Sequence, residues 1–141
     1  MSLNSLRKLH RQRVEALMME LAQIAQALGL YEARQREIET EMHTEAEQYR
    51  AHTKRGLSIE ELVEWQTRMD SQEAALRRVR FDIEQATLAW TNTNRLLVEA
   101  NQERKVLDRV LERREAMKRA GVTRQEQQAT DEAASRRMWS R

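Results

Sequence analysis

The side chains of this sequence that could do chemistry are His10, His43, His52 and the glutamates between residues 32 and 47. An imidazole can move protons or ligate a metal, but either task needs partners at a fixed spacing, commonly one helical turn away. The three histidines share no i, i+4 spacing with one another, and none is read as part of a carboxylate pair suited to a metal. Each is assigned to a solvated helix surface. The glutamates are interleaved with Arg34 and Arg36, the pattern of a solvated helix face rather than of a paired acid and base. The chain has no cysteine, which removes a thiolate nucleophile, a thiolate metal site and a disulfide framework. It has no glycine-rich phosphate loop and no strand to present one. The reading is therefore a protein that is not an enzyme, with no catalytic, cofactor or metal site.

The elements that must position these residues are helical. Of 141 residues, 34% are charged and 4% aromatic, with no proline at all. That is the composition of long helices and coiled coils, and it predicts an elongated molecule without a compact core. The first residues lack the apolar run of a secretory signal, and no stretch approaches ~18 consecutive apolar residues. A cytoplasmic protein without membrane insertion is expected. The net charge of +2 is unevenly spread. Residues 1–20 carry four basic and two acidic side chains and residues 100–141 carry eleven and seven, so these ends total +6 and the remainder −4.

From Val14 onward apolar residues recur at alternating spacings of three and four: Val14, Leu17, Leu21, Ile24, Leu28, Tyr31, Ile38, Met42 and Tyr49. With Val14 at heptad position a, nine of the eleven a and d sites to residue 49 are apolar, Gln35 and Glu45 being the exceptions. A second run occupies twelve of sixteen sites between Leu62 and Arg114, interrupted by Gln72, Thr93, Arg104 and Arg114. Two seams of this kind predict two long helices that pack on each other.

The stretch KRGLSIEELVEW between them reads as the turn. Ser58 and Glu61 fit a capping box, Leu57 and Leu62 a hydrophobic staple, and Gly56 the left-handed residue that ends the first helix. The predicted fold is all-α, an antiparallel coiled-coil hairpin over 1–120, with helix 1 at about 3–54, the tip at 55–58 and helix 2 at about 59–120. Folding the chain about residue 57 places Tyr49 opposite Trp65, Ile38 opposite Leu76, Tyr31 opposite Ile83, Ile24 opposite Trp90 and Leu17 opposite Leu97. Gln35, Glu45 and Gln72 then gather below the tip, where the seam should be weakest. Trp65 and Trp90 are read as core. Gly121 is expected to stop helix 2, with a second capping box at Thr123–Glu126 opening a short helical or disordered basic tail over 121–141. Trp139 is either an anchor for a partner or a tail residue without a role.

These features together resemble the FliJ family of flagellar type III export proteins. The likeness covers nearly the whole chain: the hairpin layout, a glycine-containing tip near one third, and Trp65-Gln66 nine residues after Gly56. It continues through the stretch KVLDRVLERRE at 105–115 and the tail motif DE-x-A-x-R at Asp131–Arg136. The resemblance implies a cytoplasmic component of the export apparatus, peripheral at the membrane of the flagellar basal body. It implies a non-catalytic stalk of the hexameric export ATPase that also meets the cytoplasmic domain of the export-gate membrane protein and the export chaperones. On that basis Arg7, Lys8, Arg11, Arg13, Arg104, Lys105, Arg109, Arg113 and Arg114 are candidate contacts to the ATPase ring, against the simpler reading of a solvated helix end. Arg68, Gln72, Ala75 and Val79, at spacings of four, three and four, form a candidate exposed strip toward the gate.

Two neighbouring readings stand beside it, a structural coiled-coil tether and the corresponding stalk of a virulence secretion system. A basic arm that grips RNA is a third. Against it, the basic stretches lack stacking aromatics apart from Trp139 and are interleaved with Glu112, Glu115 and Glu126, so no nucleic-acid partner is expected.

Overall fold

The computed structural model describes residues 2–139. Two helices account for nearly all of them, α1 over Leu3–Arg55 and α2 over Ile59–Trp139, and the described residues contain no strand. The architecture is all-α, two long helices packed on each other as a hairpin.

Why α1 starts and stops where it does is local chemistry. The Ser2 hydroxyl accepts the Ser5 amide at 3.2 Å, capping an otherwise unsatisfied first turn. At the other end Gly56 has a φ of 91°, and its amide donates to the Thr53 carbonyl at 3.3 Å. His52, Lys54 and Arg55 fill the last turn, where positive charge faces the negative end of the helix dipole. The Ser58 hydroxyl then accepts the Glu61 amide at 3.2 Å, and the Ser58 carbonyl accepts Leu62 at 3.0 Å, opening α2. Of the expected staple, Leu57 is half-buried and Leu62 is 39% exposed. Since only glycine adopts a φ of this sign without a Cβ clash, Gly56→Ala should cost about 1–2 kcal/mol. Ser58→Ala should cost about 1 kcal/mol. Both are checked by urea unfolding followed by circular dichroism.

The chain divides into two compact units, and both helices contribute to each: Met1–Glu15 with Val98–Arg141, and Ala16–Leu97. In the second unit Tyr49 stacks on Trp65 with ring centroids 3.9 Å apart and planes inclined by 22°. Ile38, Leu76 and Val79 form a buried cluster, packed around by Tyr31, Met42 and Ala75. Arg80 lies 3.8 Å from Glu39 across the pair. These are the antiparallel partners that the heptad assignment requires. In the first unit Val14, Ala100 and Leu107 are buried, and Leu3, Leu6 and Leu111 are half-buried beside them.

The zone below the tip combines Glu45 Oε2 and Gln72 Oε1, shielded from solvent without a hydrogen-bond partner, with Ile38, at 2% one of the most buried side chains. Gln35 accounts for part of this, because its amide turns along its own helix to Glu39 at 3.2 Å and leaves the seam to its apolar neighbours. Thr93, counted as a polar interruption, is buried at 4%, while Trp90 remains 38% exposed. A threonine fits between two helix backbones where an indole is too large to be enclosed by one partner helix.

Gly121 does not stop α2. The helix runs on through the expected capping box to Trp139, and the Thr123 hydroxyl donates back to the Arg119 carbonyl at 2.9 Å instead of capping a new start. One glycine costs a helix only about 1 kcal/mol, and no proline follows it to end the helix. Every described residue from Glu112 to Trp139 is exposed. Of the segment 121–141, Ser140 and Arg141 lie outside the described residues.

Candidate protein-interaction surfaces

The nine basic candidates all fall in the first unit, on the opening turns of α1 and the later half of α2. They are not equivalent. Lys8, Arg11, Arg13, Lys105, Arg109, Arg113 and Arg114 are exposed. Arg114 also helps line a shallow cleft with Ser2, Leu3, Asn4, Leu111, Glu115 and Lys118. Arg7 and Arg104 instead turn toward Asp108, at 3.2 and 3.6 Å. Arg7 Nε and Asp108 Oδ1 are shut off from water without being aligned as a hydrogen bond, so charge rather than a directed N–H···O contact holds them. These two cations are tied to the seam, with side chains 38% and 33% exposed, while the other seven are exposed.

Sequence reasoning missed three members of this polar cluster: Asp108, Glu103 and His10. His10 Nδ1 sits 3.8 Å from Glu103 Oε2, with the imidazole 22% exposed, so it is no solvated surface histidine. The signal was present, since extending the heptad back from Val14 lands on His10, Arg7 and Leu3. Removing the shared anion leaves two guanidinium groups facing each other. Asp108→Ala should therefore destabilise the first unit by about 1–2 kcal/mol, discounted for its partial exposure. His10→Leu, which places an aliphatic side chain at a seam position, should raise the unfolding midpoint.

The other two histidines are exposed. His43 contacts a single carboxylate one turn away, Glu47, at 3.1 Å. Both partners are largely solvated, which makes this a surface ion pair of small energetic weight. The described residues hold no group of three or more His, Asp or Glu side chains able to hold a metal.

The candidate gate strip on α2 is only partly a surface. Arg68 is exposed, Gln72 and Ala75 are half-buried, and Val79 is buried in the cluster with Ile38 and Leu76. The expectation that Val79 is exposed is wrong, because position d points it straight at α1. What is accessible lies nearer the tip. There Arg68 borders a cleft with Glu45, Tyr49, His52, Glu61 and Trp65. Two atoms of this cleft, Glu45 Oε2 and Trp65 Nε1, are shielded from solvent without a hydrogen-bond partner.

No helix among the described residues is long and apolar enough to cross a membrane. Comparison with protein-family models gives one decisive result: the model described as flagellar FliJ protein matches residues 1–141, end to end. The chain belongs to the FliJ family. Membership makes it a component of flagellar protein export, the type III secretion pathway of the flagellum. The FliJ match includes the exposed later part of α2 as well as the paired helices. No curated protein and no solved structure gave a match in the corresponding comparisons.

Proposed function

We propose that this FliJ-family chain is the non-catalytic stalk of the hexameric flagellar export ATPase, coupling that enzyme to the export gate and to export chaperones. The observation that carries the reading is the family match over the whole chain. Two structural features support it. The exposed cations of the first unit suit a ring with acidic walls, where electrostatic complementarity sets the association rate and the register of binding. The α2 segment from Glu112 to Trp139 offers a stretch of helix whose described residues are all exposed. Arg68 and the adjoining tip cleft are the part of the gate strip open to a second partner.

Hydrolysis by the purified flagellar export ATPase, titrated with this protein, tests the proposal. A stalk raises the turnover of the ring and co-sediments with it. Neither stimulation nor a complex would leave the stalk reading without support. Binding with unchanged turnover would favour a tether instead.

A further inference from the structure

The side of α2 turned away from α1 carries one apolar stripe that the seam does not use. Phe81 and Leu88 are 58% and 59% exposed, seven residues apart, with Ala74 seven residues before Phe81. All three occupy heptad position f, the position farthest from a two-helix seam, so none of them supports the hairpin. The charges around Phe81 change sign across it. Arg77 and Arg78 precede it, Glu84 and Gln85 follow it, and all four are exposed. Arg80 is engaged with Glu39, whereas Arg77, Arg78 and Glu84 have no ion pair among the described residues.

We propose that this face binds the same face of a second copy of the chain, antiparallel, with a two-fold axis passing beside Phe81. The helix positions fix what meets what. In an antiparallel pair, residues on one flank face the same flank of the partner helix in reverse order. Phe81 then packs on Phe81 of the second copy, and the small Ala74 receives the large Leu88, once on each side of the axis. On the b flank Arg77 faces Glu84, again twice. On the c flank Arg78 faces the Gln85 amide. A parallel two-fold arrangement would bring the b flank against the partner's c flank and set Arg77 beside Arg78 twice, so the charge pattern selects the antiparallel one. The contact is small, well under the ~1,000 Å² of a permanent interface, and the association is accordingly weak and reversible. This inference is independent of the ATPase reading. A dimer through α2 leaves the basic residues of the first unit untouched, and its failure would not affect that reading.

Sedimentation equilibrium of the full chain between about 10 μM and about 1 mM, the range in which contacts of this size assemble, tests the proposal. The apparent mass should rise toward twice the monomer mass with increasing concentration. Phe81→Glu should weaken association at least tenfold while leaving the helical circular dichroism unchanged. Arg77→Glu and Glu84→Arg should each weaken it, and the double variant, which re-creates both pairs with reversed sign, should recover most of the loss. A chain that stays monomeric throughout the range would overturn the proposal. So would Phe81→Glu associating as strongly as the parent, or a double variant no better than the single ones.

Discussion

Ile38→Ala is expected to destabilise the protein by about 2–5 kcal/mol, the largest loss we anticipate from any single substitution. The side chain is 2% exposed and sits where Leu76 and Val79 converge from α2, with Tyr31 and Met42 closing the space along α1. In a hairpin of two helices there is no third layer to move into a cavity, so the site cannot collapse far and the cavity term is kept. With a urea dependence of about 1–3 kcal/mol per molar, the midpoint should fall by at least about 0.7 M. Leu30→Ala is the matched control. It deletes a residue of the same size at a position 66% exposed, and the change should stay within about 0.5 kcal/mol. Equal effects at the two positions would show that the Ile38 cluster does not hold the unit together.

The second large effect concerns binding. Arg109, Arg113 and Arg114 are exposed, and none of them takes part in the Asp108 cluster. Replacing all three with Glu changes the charge of this stretch by six units without touching a buried side chain. Binding to the export ATPase should fall by at least tenfold, with a steep loss of on-rate and a reversal of its salt dependence. Helicity and the unfolding midpoint should hardly move. The informative contrast is with Arg7→Glu, which meets Asp108 in the seam. It should lower the midpoint far more than its share of the binding. Unchanged binding by the triple variant would reduce these arginines to a solvated surface.

How far the sequence could be read follows from what each residue answers to. Gly56 and Ser58 were legible because a left-handed φ and a first-turn cap each admit only a few residue types. The seam was legible because a 3.5-residue repeat held over many heptads has few other structural meanings. Gly121 was misread because a lone glycine is a weak instruction whose outcome depends on its neighbours. Val79 was misread through the polar sites around it, although its own heptad position already pointed it inward. Arg104 and Arg109 show where reading by letter fails. They are the same residue type five positions apart, yet one is drawn to Asp108 inside the hairpin and the other is solvated. His10 is hard to read because it and Arg7 are polar residues at the two seam positions before Val14, so the apolar repeat fades there. Function was the least legible, because charged helix surfaces look alike whatever they bind. The order of motifs along the chain, rather than any residue's chemistry, was what pointed to the FliJ family.

On the proposed stalk function, one copy of this chain would serve a whole ATPase ring. Native mass spectrometry of the two purified proteins mixed with a non-hydrolysable nucleotide measures this directly. The expected complex contains six ATPase subunits and a single copy of this chain. A complex with one copy per ATPase subunit, or a ring that forms without taking up the chain at all, would contradict it.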